Sequence, residues 1–180
     1  MNKFWSRLAR GLEPYVPGEQ PRDKKYIKLN TNENPYGPSP KVIEAVTNAV
    51  NSSLRLYPDP TDDLLINAAA KYYGVGKECI FAGNGSDEVL AFSFMAFFDP
   101  ERKVLFPEIT YSFYPVYASL FGLSYATVPL NSDFGISAEK LIGSEGGVVI
   151  ANPNAPTGKA LPLRDIILLL EGNPDCVVII

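Results

Sequence analysis

Residues 79–98 read CIFAGNGSDEVLAFSFMAFF, and they carry the strongest indication of the fold class. The short apolar run Cys79–Ala82 predicts a strand, and the apolar segment Val89–Phe98 predicts a helix. Between them lies the glycine-rich turn Gly83–Glu88, where glycine allows a sharp reversal and a close approach to a ligand. A strand that leads through a tight turn into a helix is half of a β–α–β unit.

The same alternation continues to the last residue at a spacing of about 25 residues, which suits strand–helix units. The last apolar run, CVVII, is apolar on both faces, which is typical of a central parallel strand. We therefore predict a three-layer α/β/α domain with a mainly parallel sheet. Further strands are predicted at 104–106, 124–128, 148–151 and 176–180, and helices at 112–121, 137–142 and 163–171.

The chain as a whole is predicted to divide into two parts. Residues 1–37 are rich in Pro, Gly and Asn and are predicted to form an arm and a first loop, whereas 38–180 begin the main domain. Two amphipathic helices open that domain: one is capped by Ser39, and the other is predicted to be capped by Thr61 and to end at Gly74. Because the sequence reaches its end inside a predicted strand, we expect a truncated domain that continues in the intact protein.

Composition excludes several classes of function. The apolar fraction of 46% and charged fraction of 20% are those of an ordinary globular protein, and the net charge of -4 argues against a nucleic-acid partner. No apolar run approaches about 18 residues and no signal peptide is visible, so we expect no membrane contact and a cytoplasmic location.

Residue usage also excludes histidine and metal chemistry. The chain has no histidine, which removes histidine-based triads, and no cluster of residues has metal-ligand spacing, so no metal site is predicted. Its two cysteines, Cys79 and Cys176, are predicted to be buried, reduced thiols.

The turn Gly83–Glu88 is the first candidate site. Ser86 and Asp87 would present backbone N–H groups at a helix start, where unpaired donors and the helix dipole favour an anion. Ser86 could instead be only a helix cap. A dinucleotide fingerprint would need glycine at Glu88, and a Walker A loop would need a Gly-Lys-Ser/Thr ending, so the functional interpretation is a single phosphate.

The second candidate site is the turn NPNAPTG, residues 152–158, which follows another strand-like run. Two prolines and a glycine make the turn rigid and non-helical. Ligands of open α/β sheets bind outside the carboxyl ends of strands, so an asparagine in this turn can aim a hydrogen bond at a ring substituent. An ordinary connection between elements is the alternative interpretation.

Together the two turns resemble those of fold-type I pyridoxal-phosphate aminotransferases. Four further segments are similar to the histidinol-phosphate aminotransferase branch: EPY at 13–15, LNTNENP at 29–35, LYPD at 56–59 and PEITYSFY at 107–114. The resemblance runs through the whole chain but covers only about the first half of a family member, including the first part of its cofactor-binding large domain.

The resemblance implies pyridoxal 5'-phosphate as the cofactor, with its phosphate bound by Gly85, Ser86 and Asp87. It also implies that Tyr111 stacks on the pyridine ring, which suits a flat aromatic face. Tyr57 would reach the phosphate of the neighbouring subunit, so a homodimer with shared active sites is expected.

Three further assignments follow from the same resemblance. Tyr15 and Asn32 match positions that meet the substrate. The family commonly has an asparagine directly before Pro-Thr-Gly, where it bonds the ring hydroxyl of the cofactor, but this chain has Ala155. We assign that contact to Asn154, with Asn152 as the alternative.

The implied reaction moves an amino group between L-histidinol phosphate and 2-oxoglutarate. No catalytic residue is expected in this chain, because the family's Schiff-base lysine and its aspartate for the pyridine nitrogen would follow Ile180, and Lys159 does not match the lysine position. One alternative is another enzyme on this scaffold, namely an aromatic or aspartate aminotransferase or a phosphothreonine decarboxylase. The other is a non-catalytic α/β module that binds a phosphorylated ligand.

Overall fold

The computed structural model of the chain describes residues 3–11, 19, 23–24 and 26–180. The chain forms two compact units, one of residues 11–82 and one of Gly83–Ile180 with the first residues up to Arg10. The helices are α1 Arg7–Gly11, α2 Pro40–Ala49, α3 Asp63–Tyr73, α4 Gly85–Phe97, α5 Tyr114–Phe121 and α6 Leu163–Glu171. The strands are β1 Val104–Pro107, β2 Tyr125–Val128, β3 Val148–Val149 and β4 Val178–Ile179, and 3-10 turns occur at Ser52–Arg55, Lys77–Cys79 and Ala138–Leu141.

In the unit of residues 11–82, α2 and α3 are the two predicted amphipathic helices. Ser39 caps α2 as predicted, because its side chain accepts a hydrogen bond from the Val42 N–H. Gly74 ends α3 as predicted, in a left-handed conformation with φ of 69° that glycine adopts without strain. The prediction of a separate arm that ends at residue 37 stays a prediction.

The predicted cap of α3 at Thr61 is wrong, and the capping group is Asp59. One carboxylate oxygen of Asp59 accepts the Thr61 N–H at 3.1 Å, and the other accepts the Asp63 N–H at 2.8 Å. These two backbone donors, that of Thr61 foremost, hold the pKa of the Asp59 carboxyl below its usual range. The helix therefore begins at Asp63, two residues later than Thr61.

The strand predicted at Cys79–Ala82 is also wrong. A 3-10 turn covers Lys77–Cys79, and the next residues pair with no strand of the described sheet. A run of four apolar residues does not distinguish a strand from an extended connection, because a strand also needs a partner. The prediction that Cys79 is buried fails for the same reason: its thiol is free and exposed, while that of Cys176 is free and half-buried.

The other four predicted strands are confirmed and form one parallel sheet in the second unit, in the order β2-β1-β3-β4. Val104 lies opposite Tyr125, and Leu105 lies opposite Val148. The β4 strand forms one edge of the described sheet, so its prediction as a central strand stays a prediction.

Alternate residues of the strands pack on opposite faces of the sheet, which produces two cores and confirms the three-layer fold. Phe106 and Val149 pack with Phe94 of α4 and with aromatic residues of α5. On the other face, Val148 packs with Leu169 of α6. Full burial of each such side chain stabilises the fold by about 1.5–3 kcal/mol.

Two predicted helices differ in extent from the structure. The predicted helix 112–121 begins at Tyr114, with Pro115 in its first turn, where proline is tolerated. The predicted helix 137–142 is a single 3-10 turn, Ala138–Leu141. Within the described ranges, no helix is both long enough and apolar enough for a bilayer crossing.

Candidate functional site

The site lies at the carboxyl ends of β1 and β3. In the sheet, β2 lies on one side of β1 and β3 lies on the other side. The order in which strands follow along the chain therefore reverses direction between β1 and β3. Connections that leave two strands in opposite directions open a crevice at such a point, and open α/β sheets bind their ligands there. The loops that follow β1 and β3 contain the PEITYSFY and NPNAPTG segments.

The turn before α4 needs glycine at two positions. Gly85 has φ of +82°, a conformation that L side chains rarely adopt. A Cβ on Gly83 would lie 2.8 Å from the Val89 side chain, closer than packed carbon atoms approach. The two glycines let the chain turn tightly into the helix.

The first turn of α4 is exposed and has no capping side chain. The helix begins at Gly85 after Asn84, whose side chain makes no cap hydrogen bond, so the interpretation of Ser86 as the cap is wrong. Glu88 reaches back instead, and its carboxylate accepts the Asn84 N–H at 2.6 Å. Residues 85–88 of the helix start are exposed at the positive end of the helix dipole, which suits an anion such as phosphate.

Tyr111, in the loop after β1, is connected directly to this helix start. Its hydroxyl donates a hydrogen bond to a carboxylate oxygen of Asp87 at 2.6 Å. The Tyr111 ring lies nearly parallel to Phe113, with centroids 5.7 Å apart, and meets the edge of Tyr114. The structure thus brings together two residues that the sequence assigned separately, one to the phosphate and one to the ring.

Asp87 has a second tyrosine partner that sequence reasoning missed. The Tyr117 hydroxyl of α5 lies 3.1 Å from the Asp87 carbonyl oxygen and 3.2 Å from its carboxylate. Burial, and then the nearby charge of Asp87, raise the pKa of Tyr117 to about 12, so the hydroxyl stays a donor at neutral pH. The available signal was chemical: a buried tyrosine on an apolar helix needs a partner for its hydroxyl.

The turn after β3 is bound to the loop after β1 through Asn154, which is 1% exposed. Its amide nitrogen donates to the Ile109 carbonyl at 2.9 Å and to the Thr157 hydroxyl at 3.1 Å. Its amide oxygen accepts the Thr110 hydroxyl at 2.8 Å. Thr110 was quoted in the sequence motif without a role, and the structure places it as the link between the two loops.

Asn152 holds the other side of the same turn. Its amide exchanges two hydrogen bonds with the Leu161 backbone, at 2.7 and 3.2 Å. The Asn154 backbone closes the turn by bonding the Gly158 N–H at 2.7 Å and the Lys159 carbonyl at 2.8 Å. Both asparagine side chains therefore have structural partners, and the assignment of either to a ring hydroxyl stays a prediction.

The remaining predicted residues lie elsewhere. Tyr57 is 99% exposed, and Asn32 is exposed with φ of 54°; both belong to the unit of residues 11–82. Tyr15 lies outside the described residues. Lys159 forms an ion pair with Asp133, at 3.5 Å.

Three observations match a phosphorylated, planar ligand: an exposed helix start, an aromatic ring connected to it by a hydrogen bond, and a rigid turn across the crevice. The acidic groups of the helix start have donors of their own, since Glu88 bonds Asn84 and Asp87 bonds the tyrosines. Fold and site together define an α/β protein with a candidate site for a phosphorylated, planar ligand at the carboxyl ends of its parallel strands.

Comparison with known proteins identifies the family of this chain. The family model for aminotransferase class I and II matches residues 24–179. Histidinol-phosphate aminotransferase from Clostridium beijerinckii is 58% identical, and histidinol-phosphate aminotransferase 1 from Methylococcus capsulatus is 57% identical, each over all 180 residues and 50% of the relative. The chain belongs to the aminotransferase class I and II family, and it spans about half the length of the curated relatives it matches.

A solved structure supports the same fold. Histidinol-phosphate aminotransferase from Sinorhizobium meliloti, in complex with pyridoxal-5'-phosphate, aligns with a TM-score of 0.80. The alignment covers 96% of this chain and 48% of that one, at 23% sequence identity. At this identity the likeness establishes the common fold and no more.

Proposed function

We propose that the protein is a pyridoxal-phosphate-dependent aminotransferase that moves an amino group between L-histidinol phosphate and 2-oxoglutarate. One observation carries the proposal: the neighbouring residues Thr110 and Tyr111 bond Asn154 and Asp87, and so join both sequence motifs at one edge of the sheet. The names of the relatives at 57–58% identity support the choice of substrate.

In this proposal the start of α4 binds the phosphate of the cofactor. Gly85 supplies the left-handed turn, and its own N–H bonds the Gly83 carbonyl at 3.0 Å. The N–H groups of Ser86 and Asp87, with the Ser86 hydroxyl, are then the donors for the phosphate oxygens. These groups hold the ligand without any change in their own protonation.

Tyr111 supports the ring of the cofactor in this proposal. When bound, pyridoxal phosphate supplies the electron sink that amino-group transfer requires. The Tyr111 ring stacks against it and shields one side from water, while the bond to Asp87 and the contact with Phe113 fix the orientation of the ring. Asn154 is retained for the ring hydroxyl, and that contact requires its amide to give up a bond to Ile109 or Thr157.

The proposed assembly is a homodimer in the cytoplasm. Tyr57 is almost fully exposed, as expected for a residue that reaches the phosphate site of a neighbouring subunit. Asn32 and Tyr15 are proposed to meet the substrate. Both cysteines are free thiols, which favours a reducing compartment.

The test uses the complete polypeptide as its gene encodes it. Purified protein is examined for the absorbance of bound pyridoxal phosphate, and kcat/KM is measured with histidinol phosphate, phenylalanine and phosphothreonine. We expect bound cofactor and the highest kcat/KM with histidinol phosphate. Preference for phenylalanine or phosphothreonine would refute the substrate, and protein that binds no cofactor would indicate the non-catalytic phosphate-binding module instead.

A further inference from the structure

The Asp87 side chain poses an electrostatic problem for a phosphate site. Its carboxylate belongs to the same helix turn whose N–H groups are proposed to bind a dianion. An aspartate in the first turn of a helix normally turns toward those N–H groups, because they are unpaired and the dipole is favourable. There it would compete with the phosphate for donors and repel it.

The hydrogen bonds of Asp87 show that its carboxylate is held in another direction. Backbone carbonyls of an α-helix point toward its carboxyl end, and the free N–H groups of the first turn point the opposite way. The Tyr117 hydroxyl contacts both the Asp87 carbonyl oxygen and its carboxylate, at 3.1 and 3.2 Å. The carboxylate is therefore drawn toward the carbonyl side, and Tyr111 bonds the same oxygen at 2.6 Å.

Packing fixes the position of the Tyr117 hydroxyl. The side chain is 5% exposed, and its ring lies 5.3 Å from Phe94 and 5.7 Å from Phe113, measured between centroids. A ring enclosed in this way places its hydroxyl with little freedom. Burial also keeps that hydroxyl protonated, with its pKa raised to about 12.

We propose that Tyr117 is a positioning residue whose hydroxyl, with that of Tyr111, turns the Asp87 carboxylate away from the N–H groups that take the cofactor phosphate. This assignment rests on the proposed function. Tyr117 acts through Asp87 and needs no contact with the cofactor itself. Without its hydroxyl, the carboxylate can rotate toward the first turn and occupy the donors.

The test compares a phosphorylated ligand with the same ligand lacking phosphate. Dissociation constants for pyridoxal phosphate and for pyridoxal are measured on the complete polypeptide and on Tyr117→Phe. We expect Tyr117→Phe to weaken pyridoxal phosphate about tenfold and pyridoxal by less than about twofold, because a hydrogen bond to a charged group is lost. Tyr114→Phe is the matched control, since its hydroxyl is not among the partners of Asp87 in the described structure, and we expect it to change neither constant.

Asp87→Asn provides a second, independent arm. It removes the charge that must be turned away, so Tyr117→Phe in this background should weaken pyridoxal phosphate by less than about twofold. Should Tyr117→Phe fail to fold, Asp87→Asn alone carries the test, and it should keep the preference for the phosphorylated ligand within about threefold.

Four results would overturn the inference. Equal weakening of both ligands by Tyr117→Phe would indicate a packing role, and an undiminished effect in the Asp87→Asn background would show that Tyr117 does not act through the carboxylate. Loss of the phosphate preference in Asp87→Asn alone would show that the carboxylate itself is needed. If the unmodified protein shows no preference for pyridoxal phosphate over pyridoxal, the proposed phosphate site fails and the inference fails with it.

Discussion

Replacing Asn154 with alanine should destabilise the protein by about 2–4 kcal/mol. The side chain is 1% exposed and makes three hydrogen bonds, to Ile109, Thr110 and Thr157. Each such bond contributes about 0.5–1.5 kcal/mol net, and partners left buried without a bond add to the loss. Because the bonds join the loops after β1 and β3, the same change should also loosen the support of Tyr111.

The chain contains a matched control for this change. Asn173 is the other buried polar residue in the described part of the chain, and it also makes three side-chain hydrogen bonds, to Leu141, Ser144 and Leu169. It lies between α6 and β4, at the opposite end of the strands from the site. Asn173→Ala should therefore cost a similar free energy of unfolding without a local effect on the loops after β1 and β3.

The assay measures urea unfolding and pyridoxal-phosphate binding on the complete polypeptide for both variants. We expect similar losses of stability, with cofactor binding weakened more than about tenfold in Asn154→Ala and less than about threefold in Asn173→Ala. A loss below about 0.5 kcal/mol for Asn154→Ala would refute the reasoning about buried hydrogen bonds. Equal weakening of cofactor binding in both variants would refute the link between the loop and the site.

Three further changes test the turn, the sheet and the tyrosines. Gly85→Ala should cost about 1–2 kcal/mol and weaken phosphate binding, because alanine is strained at φ of +82°, whereas Gly37→Ala, with open space around the added Cβ, should be nearly neutral in urea unfolding. Gly146→Ala should destabilise by about 1–3 kcal/mol or prevent folding, because its Cβ would collide with the backbone just before β1; an unchanged unfolding midpoint would contradict this packing. Burial raises the pKa values of Tyr114 and Tyr117 from 10.0 to about 12, so the protonated form is favoured in the folded state. Stability should be intact below pH 10 and fall as the pH rises from 10 to about 12, and ultraviolet titration of tyrosinate together with circular dichroism should show ionisation coinciding with unfolding.

The sequence was sufficient for features set by local chemistry. Ser39 and Gly74 end their helices as predicted, since a cap and a left-handed stop depend on a few neighbouring residues. The parallel strands followed from their spacing and apolar faces. Cys79–Ala82 failed because strand formation depends on a distant partner, and Thr61 failed because the nearby Asp59 is a better acceptor for the same donors.

The sequence was sufficient to predict the motifs of the site, but not the hydrogen bonds that join them. Asp87 and Tyr111 were found because each lies in a recognisable segment. Their mutual bond spans 24 residues, and that between Thr110 and Asn154 spans 44, separations at which sequence spacing carries no information on distance. Tyr117 was missed because the apolar pattern of a helix does not distinguish a tyrosine from a phenylalanine at a buried position. Only the folded structure shows which group the Tyr117 hydroxyl contacts.

The adjacency of Thr110 and Tyr111 has a consequence for how this scaffold tolerates insertions and deletions. Thr110 and Tyr111 are consecutive but bond two separate partners, Asn154 and Asp87. Adding or removing one residue between β1 and α5 would therefore present the wrong side chain to each partner. That segment should accept substitution but not a change of length.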